Sequence, residues 1–137
     1  MFLLDTNVIS ELRKAAHADA RVCRWAERVS LAALYLSAIS VLELEIGVLL
    51  VERRDARQGT VLRTWLDHRV LPAFEERILP IDTAVALRCA ALHIPDPHSD
   101  RDALIAATAL IHGLTVVTRN VADFRTTGAK LLNPWQE

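Results

Sequence analysis

Met1-Phe2-Leu3-Leu4-Asp5-Thr6-Asn7-Val8-Ile9 sets the reading of the whole chain. Phe2–Leu4 is apolar but too short for a helix. The residues behind it, Asp5, Thr6 and Asn7, are helix-capping types. A short buried strand that runs straight into a helix is half of a βαβ unit. The same pattern returns downstream. Residues 34–39 form a short apolar run, and Ser40 then opens a helix to about Glu52. Residues 77–81 read as a third strand, ahead of Asp82 and a helix over 83–93. Residues 114–118 are a fourth strand, and 130–132 a final edge strand. Strands alternating with helical stretches predict an α/β fold, a mainly parallel sheet of four to five strands flanked by helices.

The connecting segments fit this plan. The first helix covers residues 8–14. A second covers 18–29, with Val22, Trp25, Ala26 and Val29 on one face at helical spacing. A long amphipathic segment runs over 56–74, and Pro95-Asp96-Pro97-His98 is a loop. Ser99 starts a helix that His112-Gly113 ends. From Ala103 to Ile111 this helix is almost continuously apolar, so it is packed on several sides. Residues 121–124 form a short turn. No repeat, linker or low-complexity segment interrupts the 137 residues, which predicts one domain over 1–137.

Composition excludes several classes. No apolar stretch spans a bilayer, because charge interrupts each within about 18 residues. No basic start, apolar middle and small-residue cleavage site marks a signal peptide. The expectation is a cytoplasmic protein without a membrane partner. Cys23 and Cys89 form no metal-binding pattern and are expected as free thiols. The formal net charge of −1 gives no global basic field. Of the basic residues, only Lys14 and Lys130 are not arginine. Arg53, Arg54, Arg57, Arg63, Arg69 and Arg77 alternate with acids, which predicts a solvated, ion-paired helix face.

Four acids stand at matching points of this plan. Asp5 ends the first strand, and Asp123 follows the fourth. Glu43 and Asp102 are expected in the first turns of helices. Strand C-termini and the helix starts behind them share one edge of a parallel sheet, and ligands bind there. Taken singly, each acid has an ordinary explanation. Ser40…Glu43 and Ser99…Asp102 match the capping box, Asp5 can cap, and Asp123 can serve a turn. Four carboxylates converging on one edge are not needed for capping. They suit magnesium, which takes hard oxygen ligands, commonly one or two carboxylates with water and substrate phosphate. The five histidines show no HxH or HExxH spacing, and no phosphate-binding loop or serine-nucleophile motif occurs. Gly47 lies one helical turn beyond Glu43 and is explained by close backbone packing or by clearance beside the acids.

At this point four blocks resemble a known family. Leu3-Leu4-Asp5-Thr6-Asn7-Val8-Ile9-Ser10-Glu11 resembles the opening of a PIN-domain toxin of the VapC type, nearest its FitB-like branch. Ser37 to Gly47, Asp102 to Ala109 and Thr118 to Phe124 resemble its second, third and fourth blocks, in order. The resemblance implies a three-layer α/β/α PIN-like domain. It implies a magnesium- or manganese-dependent ribonuclease, the toxin half of a toxin–antitoxin pair. Asp5, Glu43, Asp102 and Asp123 align with the family's acidic quartet, and Thr6 and Thr118 with its supporting hydroxyls. It further implies a homodimer bound by a small antitoxin that carries the operator-DNA-binding domain and lays a tail on the toxin. The face of Val22, Trp25, Ala26 and Val29 is a candidate docking surface for that tail, with core packing as the other reading.

The resulting expectation is an endoribonuclease that acts on RNA by metal-activated water, leaving a 5′-phosphate and a 3′-hydroxyl. Asp5 and Asp102 are the expected metal ligands, Glu43 completes the shell, and Asp123 holds water or a second ion. Arg13, Lys14 and Arg119 are expected to hold substrate phosphates. Two other functions remain open at this point. One is a non-catalytic antitoxin-binding module in a DNA-bound repressor complex. The other is a structure-selective DNA nuclease.

Overall fold

The computed structural model describes all 137 residues, Met1–Glu137. β1 (Phe2–Leu4) leads directly into α1 (Thr6–Arg13). Then come α2 (Ala20–Arg28), β2 (Leu34–Ser37), α3 (Ala38–Arg54) and α4 (Ala56–Trp65). A wide π turn, Leu66–Val70, joins α4 to the single turn α5 (Leu71–Ala73). The chain continues through β3 (Ile78–Leu79), α6 (Thr83–Leu92), α7 (Asp100–His112) and β4 (Thr115–Val117). It closes with α8 (Val121–Phe124) and β5 (Leu131–Leu132).

All five strands are parallel, in the order β3-β2-β1-β4-β5. The expected parallel sheet is therefore present with each of its strands. Side chains alternate along each strand and so feed two separate cores. Leu4, Leu34, Leu36 and Val117 face one side, where they meet Val8, Ile9, Val22, Trp25, Leu66 and Phe74. Leu3 and Val116 face the other, against Ile105, Ala106, Ala109 and Phe124. This is the three-layer α/β/α arrangement. Helix α7 is buried nearly all round because its opposite flank packs Ala103 and Ala107 against Val85 and Cys89 of α6. Gly113 ends α7 at φ 67°, a left-handed conformation that glycine adopts without a steric penalty.

The sheet order contains one reversal. From β1 the chain moves outward to β2 and β3, then returns to place β4 on the other side of β1. The crevice at such a switch point opens between the C-terminal ends of β1 and β4. Asp5 donates its backbone N–H to Val117 O at 2.9 Å, which holds it beside Thr118 at that crevice.

Several local expectations are corrected. α3 begins at Ala38 and not at Ser40. Ser37 is its cap, and the Ser37 hydroxyl accepts the Ile39 N–H at 3.1 Å. The strand ends and the helix starts on one residue, so the earlier serine wins. Ser40 lies inside the helix, fully buried, with a hydroxyl that finds no partner. Glu43 therefore stands in the second turn. At α7, Ser99 is the cap residue but makes no side-chain cap bond. Neither suspected capping box forms.

The ion-paired face shrinks to one hub. Arg63 binds Glu45 through a two-pronged contact at 2.6 and 2.7 Å, and also reaches Glu52 and Asp67. Arg77 instead donates to the backbone carbonyls of Leu34 and Ala73. Gly59 of α4 permits the close approach beneath the hub, since a Cβ there would lie 2.5 Å from Glu52 Cα. At Gly47 an added Cβ would meet nothing within 4 Å, so close packing does not explain that glycine. Both cysteines are free thiols. No helix is long and apolar enough to cross a membrane.

Candidate active site

Asp5 is the fixed point of the site. It sits at the junction of β1 and α1, where the sheet edge and a helix start coincide. Its Oδ1 accepts the Thr6 N–H at 2.8 Å, which caps α1. Its Oδ2 accepts the Thr118 hydroxyl at 2.8 Å and the Asn7 side-chain amide at 3.2 Å. Capping and clustering thus use different oxygens of one carboxylate. Asp5 is only 6% exposed. Burial raises its pKa above the usual range, against the lowering pull of Thr118 and Thr6, and Glu43 and Asp123 push it further up.

Thr118 follows β4 directly and is fully buried. While donating to Asp5, it accepts the Asn120 N–H at 3.0 Å and the Asn7 amide at 3.4 Å. Asn7 also accepts the Arg119 N–H at 3.4 Å. The β4–α8 turn is tied in this way to the start of α1. On the other flank, the Thr6 hydroxyl donates to Glu43 Oε1 at 2.7 Å. The second Glu43 oxygen lies 3.6 Å from Arg101 Nη1. Both threonines expected to support the acids therefore bond directly to one of them.

Asp102 projects from the first turn of α7. Its pKa is raised to about 6, first by burial and then by repulsion from Asp5, Asp123 and Glu43, with a small opposing pull from His98. Asp5, Glu43 and Asp102 line one hollow of about 460 Å³ together with Thr6, Asn7 and Ser10. Asp123 is exposed on α8 and stays outside that wall, yet it acts electrostatically on both Asp5 and Asp102. The four acids share one field, with three in the hollow and one at its margin. Asp100 is 91% exposed and points elsewhere, toward His93.

The donors fit a hard divalent cation in kind. They are carboxylate and hydroxyl oxygens in a polar, open hollow, and their mutual repulsion favours a positive charge among them. No three ligand-type side chains close into a ready-made cage. That spread is compatible with magnesium, which keeps several of its waters and takes few protein ligands.

The basic candidates separate. Lys14 lines the hollow but pairs with Glu11 at 3.0 Å. Arg119 also lines it, with its guanidinium 5.3 Å above the Trp135 ring. Arg13 does not line it; its guanidinium lies 5.9 Å from the Trp65 ring centre. Sequence reasoning missed Asn7, Ser10, Arg101, Asn120 and Trp135. Asn7 was within reach, because it completes the Asp5-Thr6-Asn7 triplet. Trp135 was not, since only the return of the C-terminus brings it there.

A fold with a switch-point crevice lined by acids defines a class, and comparison with known proteins agrees. The PIN domain matches residues 2–130. The VapC ribonuclease Y4jK of Sinorhizobium fredii is 39% identical over 141 residues, covering 99% of each chain. Toxin FitB of Neisseria gonorrhoeae is 39% identical over 142 residues, covering both chains completely. The solved structure of FitAB bound to an IR36 DNA fragment superposes with a TM-score of 0.89 at 37% identity, covering 98% of this chain and 96% of that one. The chain belongs to the PIN-domain family, on its branch of VapC- and FitB-type toxins.

Proposed function

We propose that this chain is a divalent-metal-dependent endoribonuclease, folded as one domain over residues 1–137 and acting as the toxin of a cytoplasmic toxin–antitoxin pair. The observation that carries the reading is the meeting of acids from the β1–α1 junction, α3 and α7 in one hollow, with Asp102 pushed up to about 6. Magnesium or manganese, when bound, supplies an acidified water and polarises the phosphoryl oxygen. Asp5 and Asp102 hold the ion. Thr118 and the Thr6 N–H fix the Asp5 carboxylate in one orientation, and Thr6 does the same for Glu43. Glu43 orients the attacking water, and Asp123 positions water at the margin. Lys14 and Arg119 receive phosphates flanking the scissile bond. Hydrolysis leaves a 5′-phosphate and a 3′-hydroxyl.

The proposed partners are a second copy of the chain and a DNA-binding antitoxin, so that operator DNA is reached only through the antitoxin. The FitAB complex on DNA supports this reading by likeness. Val22 and Trp25 are core residues, whereas Ala26 and Val29 line an open apolar groove of about 340 Å³ with Leu12, Leu31 and Phe74. An apolar antitoxin segment would lie there. Leu42, Leu49 and Leu50 are exposed along α3 and offer an apolar face to a second copy. A basic antitoxin side chain is suited to the hollow, since Arg101 already rests a guanidinium near Glu43.

The test is cleavage of defined RNA by the purified chain with manganese or magnesium, with and without chelator. Activity should vanish with chelator and in Asp5→Asn. A 2′-deoxy nucleotide at the cleaved position should still be cut, because water and not the 2′-hydroxyl attacks. Products ending in a 2′,3′-cyclic phosphate would overturn the mechanism. Matched RNA and DNA strands separate the ribonuclease from a structure-selective DNA nuclease. Absence of cleavage with every metal, alongside tight antitoxin binding, would favour the non-catalytic module.

A further inference from the structure

We propose that Arg13 and Arg69, gathered around Trp65, form a second phosphate-binding subsite that holds the single-stranded RNA leaving the acidic hollow. The proposal rests on the ribonuclease reading for its substrate class, but its geometry lies outside the acidic hollow. Thr6, Ser10 and Glu43 form one wall of that hollow and also of a smaller one, about 220 Å³, floored by Gly47 and bounded by Arg13 and Trp65. Arg13 and Trp65 in turn line a third hollow of about 440 Å³ with Thr60, Thr64 and Arg69. Arg13, Trp65 and Arg69 also edge the apolar groove of Ala26 and Val29, so RNA held here and an antitoxin segment in that groove would exclude one another. The three hollows are joined through shared walls. Gly47 itself adds no side chain between the first two hollows, and a Cβ built there would meet nothing within 4 Å.

The charge along this path changes sign as a polyanion track requires. The neighbouring acids Glu45, Glu52 and Asp67 are all taken up by Arg63. Arg13 and Arg69 therefore face solvent without a carboxylate partner. The Trp65 ring lies beneath the Arg13 guanidinium at 5.9 Å and restrains a side chain that would otherwise move freely. Arg69 sits one turn beyond Trp65, on the π turn Leu66–Val70. π turns inside α-helices are frequent at functional sites. A restrained guanidinium grips phosphate in a two-pronged manner, which lysine does not.

The experiment measures binding of a fluorescein-labelled single-stranded RNA of twelve nucleotides, by anisotropy in EDTA, across a salt series. Arg13→Ala/Arg69→Ala is compared with wild type and with Arg88→Ala, an exposed arginine on α6. The double variant should bind at least tenfold more weakly, with a thermal midpoint near wild type. Each lost phosphate contact makes the log–log salt slope shallower by about 0.7, so the double variant should lose about 1.4. In a cleavage assay, KM should rise tenfold with kcat held. Unchanged binding and slope, or an equal loss in Arg88→Ala, would overturn the subsite. If the double variant lost affinity for an acidic peptide but kept it for RNA, the patch would be a protein-docking site and the proposal would fail. Wild-type cleavage with no variant effect on binding would refute the subsite alone. A variant effect on binding with no cleavage under any metal would refute the nuclease reading alone.

Discussion

Replacing Asp102 by asparagine in metal-free buffer should stabilise the fold while removing its activity. Asp102 has a folded-state pKa near 6, raised by burial and by three neighbouring acids. Its unfolded value is about 3.9. An acid whose pKa is raised on folding binds more protons in the folded state, so its ionisation opposes folding. The penalty is absent below about pH 4, develops between about 4 and 6, and is complete above 6. At face value a shift of about two units is roughly 3 kcal/mol. Solvent reaches Asp102 in the open hollow, and screening reduces this to about 1 kcal/mol. The amide removes the charge and keeps the shape. At pH 7.5 the variant should melt about 3–5 °C higher than wild type, and at pH 4 the two should coincide. Magnesium should raise the wild-type midpoint and leave the variant little changed. Differential scanning calorimetry in EDTA, repeated across pH, gives each value. A variant that melts lower at pH 7.5 by an amount independent of pH would refute the reasoning, since Asp102 would then be an ordinary helix-start residue.

Other perturbations test the supports of the site and fold. Thr118→Val removes the 2.8 Å bond to the buried Asp5 and should cost about 1.5–3 kcal/mol near neutral pH. Denaturant titration should show that cost shrinking in acid, as Asp5 protonates. Gly59→Ala would place a Cβ 2.5 Å from Glu52 Cα. Overpacking of roughly 1–3 kcal/mol should outweigh the gain of about 1 kcal/mol in helix propensity, so the urea midpoint should fall. Ser40→Ala removes a buried hydroxyl without a partner. It should be neutral or stabilising by up to about 1 kcal/mol, and a clear loss would reveal a hydrogen bond made in solution.

Much of the site was legible because its acids sit at points where local signals coincide. Phe2–Leu4 followed by Asp5-Thr6-Asn7 marks a strand end and a helix start together, and in a parallel fold those two features occur at the ligand edge. The continuous apolar run after Asp102 marks a buried helix, which brings that acid into the crevice. The misread details share a cause. Ser37 and Ser40 are equivalent by local chemistry, and only the length of β2 decides which one caps α3. The alternation of arginines with acids could not distinguish Arg63, which takes three partners, from Arg69, which takes none. That choice follows from how α4 packs back on α3 at Gly59, which brings Arg63, and not Arg69, against Glu45 and Glu52.

The sequence by itself determined the strand–helix alternation, the apolar α7 and the identity of the acids, because these depend on neighbours a few residues away. Only the tertiary structure decided that Asp123 stays at the margin, that Arg101 reaches Glu43, and that Arg13 leans on Trp65 rather than on the acids. Each of those outcomes depends on where one element sits relative to another. Relative placement is fixed by the whole core closing at once, with Leu4 and Val117 on one face of the sheet and Leu3 and Val116 on the other. No local run of residues encodes that closure.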